Sequence, residues 1–94
     1  SLPQHFKWSH VGTQSITLSW DVDSLGEDYA KSIGLTASLA SHPGFRIHNT
    51  ESFSLGNVTV DRLEPNSTYD VTAEALGKRK IVFIHKESIT TLSH

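Results

Sequence analysis

Leu63-Glu64-Pro65-Asn66-Ser67-Thr68-Tyr69-Asp70-Val71 is the stretch that decides how this chain folds. Upstream of it, Val58 and Val60 alternate with polar residues, which is the period of a half-buried strand. Downstream, Tyr69, Val71, Ala73 and Ala75 alternate in the same way. Between them lies a turn, where Pro65 fixes φ and Asn66 tolerates a left-handed backbone. A tyrosine just inside the second strand can bury its ring and return its hydroxyl to backbone groups upstream, pinning a crossing between two sheets. Such a corner is architecture rather than chemistry. It nominates Leu63 and Tyr69 for the core and names no ligand.

Working outward, Ser15 to Trp20 has strict period-2 alternation, with Ile16, Leu18 and Trp20 inward. Trp20 suits the centre of a small core, where a large aromatic buries roughly 150–250 Å². Nearer the N-terminus, Phe6, Trp8 and His10 share one face of an extended segment, with Lys7 and Ser9 on the other, before a turn at Val11-Gly12-Thr13. Asp21 to Asp28 reads as a polar loop. Ile33, Leu35, Ala37 and Leu39 alternate as a strand, which Gly34 weakens. Ser41-His42-Pro43-Gly44 is a turn, Phe45-Arg46-Ile47 a short edge strand, and Asn49 to Gly56 an irregular region. Beyond the corner, Gly77-Lys78-Arg79-Lys80 reads as a hairpin. The apolar run Ile81-Val82-Phe83-Ile84 follows, and Ile89 to Leu92 closes the chain. Seven short strands with a turn signal about every ten residues specify an all-β, seven-stranded antiparallel sandwich.

The 94 residues suit a single domain over 1–94. A formal net charge of −2 argues against a general nucleic-acid footprint. No apolar run approaches the ~20 residues of a membrane span. Cysteine is absent, which removes a disulfide framework and thiolate metal sites from consideration. Methionine is absent as well, and Ser1-Leu2-Pro3 has no leader pattern, so the chain reads as part of a larger multidomain protein.

Three stretches resemble the fibronectin type III family, a branch of the immunoglobulin-like β-sandwiches, across nearly the whole chain. Pro3-x-x-Phe6-x-Trp8-x-x-Val11-Gly12 is similar to the family's first strand and turn. Ser15-Ile16-Thr17-Leu18-Ser19-Trp20 is similar to its second strand with the core tryptophan. Val58-x-Val60-x-x-Leu63-x-Pro65-x-x-x-Tyr69-x-Val71 is similar to its fifth strand, tyrosine corner and sixth strand. The departures are Asn66, where many members have glycine, and a third strand without an aromatic. The Arg-Gly-Asp loop of integrin-binding members is also replaced by Gly77-Lys78-Arg79-Lys80. The resemblance implies a module of adhesion molecules, matrix proteins or receptors. Other members belong to muscle proteins or to secreted polysaccharide-degrading enzymes, and fold alone does not choose among these settings.

Asn57-Val58-Thr59 and Asn66-Ser67-Thr68 fit the N-glycosylation acceptor pattern, and Asn66, on a corner loop, promises more exposure than Asn57 at a strand entry. The six histidines lack the paired spacing of a metal motif. Asp21, Asp23, Glu27 and Asp28 match no calcium loop. No Gly-x-Ser-x-Gly elbow marks a nucleophile. Catalytic, metal and cofactor sites are therefore all expected to be absent. Lys78-Arg79-Lys80, with Lys86 nearby, is either a solvated hairpin tip or a site for an acidic partner. The run Ile81 to Ile84 does not alternate, so two of its apolar side chains should point away from the core. Either a loop, such as that around Phe45, covers them, or they contact a partner, a sister domain or a second copy of the chain.

The function expected from these readings is that of a noncatalytic extracellular or cell-surface module acting as spacer and protein-interaction domain, as part of a receptor or adhesion glycoprotein. It would neither bind nucleic acid nor insert in a membrane. The alternatives are an accessory module of a secreted carbohydrate-active enzyme and an intracellular muscle-type structural module.

Overall fold

A computed structural model describes residues Ser1–His94. Seven strands form: β1 Phe6–Val11, β2 Ile16–Trp20, β3 Ser32–Leu39, β4 Arg46–Ser52, β5 Asn57–Val60, β6 Thr68–Leu76 and β7 Ile81–Thr90. They build two antiparallel sheets, one of order β1-β2-β5 and one of order β4-β3-β6-β7. Between them the inward residues of each strand make one core. Ile16, Leu18 and Trp20 meet Val58 and Val60 on one side and Ile33, Leu35, Ala37, Val71, Ala73 and Ala75 on the other. Because the seven strands alternate in direction, the chain enters at one pole and leaves at the other, along a body 38 × 23 × 21 Å in extent.

The third strand lacks an aromatic, and the rings that fill the lower core come from elsewhere. Phe53 stacks on Trp20 at 6.3 Å and packs against Tyr29 at 5.7 Å, while Phe6 sits between Trp20 and Tyr29 at 6.0 Å from each. Trp20 also donates its Nε1–H to the Phe53 carbonyl at 2.7 Å, so the ring is anchored at its polar end as well as packed. Gly34 does not break β3. The His48 ring lies beside it, held by Thr36 Oγ1 at 2.7 Å and Thr50 Oγ1 at 2.8 Å, and covers the face a side chain would have occupied.

Several boundaries differ from the sequence expectation. The region Asn49 to Gly56 is not irregular throughout, because β4 runs on to Ser52 before a 3-10 turn at Phe53–Leu55. Its half-buried positions are Ile47, Asn49 and Glu51, too polar to reveal a period. The loop after Trp20 holds a four-residue helix, α1 (Val22–Leu25), capped by Asp21 accepting from the Ser24 N–H. Val11 belongs to β1 rather than to a turn. A bulge at Ser9 breaks the alternation there, so His10 pairs with Thr17 on the outer face and Val11 opposes Ile16.

The corner takes the form its residues specify. Tyr69 is 4% exposed and its hydroxyl accepts from the Glu64 N–H at 2.7 Å. Leu63 is buried beside it, and Asn66 adopts φ +49°. A second device completes the corner. Thr91, 2% exposed, donates to the Glu64 carbonyl at 2.6 Å and accepts from the Ser67 N–H at 3.0 Å. Two buried side-chain hydroxyls thus satisfy the backbone of a turn that would otherwise be short of partners.

Candidate functional site

β7 is the outer strand of the four-stranded sheet, bonded to β6 along one side only. Its ladder places Leu76 opposite Ile81 and Ala75 opposite Phe83, so Val82 is an extra residue in a bulge. The bulge decides which apolar side chains face out. Ile81 and Ile84 are exposed, at 56% and 49%, whereas Val82 and Phe83 pack on the core. Phe83 meets Phe6 edge-on at 5.0 Å. Two of the four do point outward, but as the pair Ile81 and Ile84, not as alternate residues. Phe45 does not cover them. It is 68% exposed in the β3–β4 turn, beside the opposite edge strand.

Directly before this edge, the Gly77 N–H closes the turn on the Lys80 carbonyl at 2.8 Å. The turn presents Lys78, Arg79 and Lys80 to solvent. The two ion pairs of the molecule, Arg62–Asp61 and His85–Glu87, involve none of them. Exposed isoleucines and unpaired cations therefore lie side by side at one end of an open strand edge. This arrangement can accept an extended segment by strand pairing, with apolar and acidic side chains facing it.

The other half of β7 carries a polar cluster that sequence reading missed. Glu87 lies at the solvent-exposed rim between the two sheets, and its Oε1 bonds both His85 Nε2, at 2.8 Å, and the Trp8 Nε1–H of β1, at 2.9 Å. The His85 bond, then the Trp8 bond, hold the Glu87 carboxyl below its ordinary range. The cluster joins the two edge strands β1 and β7 across the open side of the sandwich. With Trp8 and Glu87 79 positions apart, no local signal pairs them. On the opposite side, Asn49 Nδ2 plays the matching part, donating to the Thr59 carbonyl at 2.8 Å and tying β4 to β5.

The acceptor residues lie apart from the β7 edge. Asn57 is the first residue of β5, and Asn66 tips the corner; both are exposed, so Asn66 has no advantage in that respect. Asp21 serves as a helix cap, and its carboxyl is lowered by the Ser24 side-chain and backbone hydrogen bonds. No helix is long and apolar enough to cross a membrane.

No family model matches the chain. It is 38% identical over 71 residues to Oncosphere antigen B of Hydatigena taeniaeformis, covering 76% of this chain and 67% of that protein. It is 36% identical over 87 residues to the 45 kDa antigen of Taenia ovis, covering 93% of this chain and 36% of the relative, so it spans about a third of that protein's length. Among solved structures, the fn3 domain of human collagen alpha-1(XX) chain superposes with a TM-score of 0.75 at 15% identity, over 100% of this chain and 83% of that one. The FN5 domain of Drosophila Lar gives 0.67 at 16% identity, over 98% and 96%. The solved structures establish a fibronectin type III-like fold, and the 38% relative shows that the chain belongs to the family of Oncosphere antigen B.

Proposed function

We propose that the chain is a noncatalytic, extracellular module of a larger antigen-like protein, in which it spaces neighbouring domains and binds protein through the β7 edge. The observation that carries this reading is the exposed pair Ile81 and Ile84 on an open strand, next to the unpaired Lys78, Arg79 and Lys80. Exposed apolar side chains on an unprotected edge are a liability unless something pairs with them. The termini at opposite poles of a 38 Å body suit a bead in a string of domains. The relatives named as antigens favour a surface or secreted setting over a muscle-type module or an accessory to a carbohydrate-active enzyme.

Labelling the parent protein on cells that produce it tests the setting. An antibody against the folded chain should stain intact cells, or detect the protein in their medium, before permeabilisation. A signal that appears only after permeabilisation would refute the extracellular reading.

A further inference from the structure

We propose that Asn57 and Asn66 both carry N-linked glycans, and that these cover the β5 edge and the corner while leaving the Ile81–Ile84 edge open. The inference rests on the extracellular reading above and deepens it by assigning what shields each part of the surface.

Each acceptor sits in a complete Asn-x-Thr tripeptide without proline. Asn57 faces outward, because its neighbours Val58 and Val60 are buried. Its surroundings on the three-stranded sheet are short hydroxyls: Ser19 opposes it, and the Thr17 and Thr59 hydroxyls bond each other at 2.7 Å. This flat polar face offers a sugar hydroxyl partners with no large side chain to displace. β5 is also an edge strand of only four residues, and a glycan rooted at its first residue hinders pairing by another chain.

Asn66 is placed differently and to the same end. Its left-handed backbone is fixed by its own N–H, which donates to the Leu92 carbonyl at 2.9 Å, so the side chain projects from a rigid turn. In the transfer, Asn Nδ2 bonds to the anomeric carbon of a polyprenyl-pyrophosphate-linked oligosaccharide. The sugar–phosphate C–O bond breaks, polyprenyl pyrophosphate leaves, and the amide gives up one proton.

Neither acceptor is near the apolar end of β7. Asn57 lies on the far edge of the other sheet, across two strand spacings of about 5 Å each and then the sheet separation of about 10 Å. Asn66 neighbours the opposite end of β7, where Thr68 pairs with Thr90, and the seven residues from Ile84 to Thr90 span about 20 Å. Two glycans so placed leave open the edge that carries exposed isoleucine.

The test is secretion of the chain from a eukaryotic host, followed by intact mass before and after peptide-N-glycosidase F. The wild type should lose two glycans, Asn57→Gln or Asn66→Gln one, and the double variant none. Thr68→Ser should keep both, and Thr68→Ala should lose the second. Should Asn57→Gln fail to fold, Thr59→Val removes the same acceptor while preserving side-chain shape. Hydrogen exchange of the glycosylated and enzyme-treated chains should differ around Asn57–Val60 and Leu63–Thr68 but not at Ile81–Ile84. A folded, secreted chain with the bare polypeptide mass overturns the proposal. So does equal shielding of the β7 segment. Surface labelling is independent of glycans, so a labelled but unglycosylated protein sinks this inference and leaves the extracellular reading standing.

Discussion

Replacing Ile81 and Ile84 together with threonine should leave the fold intact, whereas replacing Val82 and Phe83 together should cripple it. The two isoleucines are about half exposed and bear on nothing in the core, so each change should stay within about 0.5 kcal/mol. Threonine keeps the β-branch that a strand favours. Phe83 is half-buried and meets Phe6 at 5.0 Å. Full burial of a phenylalanine makes its truncation cost about 3–5 kcal/mol, and roughly half of that applies here. Val82→Thr adds a poorly partnered hydroxyl at about 1 kcal/mol. The inner pair should therefore cost roughly 2–4 kcal/mol, a large part of the 5–15 kcal/mol that holds a typical protein folded.

Urea unfolding measures both variants. With a slope of about 1–3 kcal/mol per molar, the inner pair should lower the midpoint by about 1 M or more, while the outer pair leaves it nearly unchanged. Sedimentation velocity on the outer pair then reads the edge, where any concentration-dependent association of the wild type should weaken. Equal destabilisation by the two pairs would mean that the run is buried on both faces, and the bulge-based assignment would fail. An outer pair that leaves both stability and association untouched would remove Ile81 and Ile84 from the contact surface.

Tyr69→Phe deletes the acceptor of the Glu64 N–H, and calorimetry or urea should show a loss of about 1–3 kcal/mol; an unchanged midpoint would mean that water replaces the hydroxyl. Thr91→Val should cost a similar amount, since one buried hydroxyl serves both the Glu64 carbonyl and the Ser67 N–H, and stability equal to wild type would show that the second device is dispensable. Trp20→Ala should be worst, at about 3–5 kcal/mol, through a cavity at the ring cluster and the loss of the indole hydrogen bond to the Phe53 carbonyl. Glu87 has a lowered folded pKa, so its contribution is present above the ordinary value of 4.5 and lost as pH falls through the lowered one. The stability difference between wild type and Glu87→Gln should therefore shrink below about pH 4.5, and a difference that grows on acidification would contradict the Trp8–Glu87–His85 assignment.

The corner was legible because its determinants are local. Pro65, Asn66 and Tyr69 act within a few residues of one another, and the flanking strands are buried on one face, so the period of two shows plainly. Thr91 was not legible. A threonine near a chain end looks like any surface residue, and its partners at Glu64 and Ser67 lie 24 to 27 positions back. β4 was largely hidden for another reason. As an edge strand it buries Asn49 and Glu51 only halfway, and Asn49 is inward to bridge the sheets, so hydropathy shows no alternation.

The bulges mark the limit of pattern reading, and they also shape the candidate site. One extra residue reverses every later side chain on a strand, yet leaves no trace in composition. At Ser9 the reversal moves His10 outward; at Val82 it turns Phe83, His85, Glu87 and Ile89 toward the sandwich and Ile84 away. A strict alternation through β7 would instead have put Ile84 inside and turned Glu87 away from Trp8. The bulge thus divides one edge into unlike halves. Toward Ile89 the edge carries a rim carboxylate tied to Trp8, and a charge on an edge strand discourages strand addition. Toward Ile81 the only gatekeepers are the cations of the preceding turn, which repel another basic edge but attract an acidic one. The proposed docking edge at Ile81 uses this division: a strand built only to avoid aggregation would be guarded along its whole length, whereas here the cations at one end would select for an acidic partner.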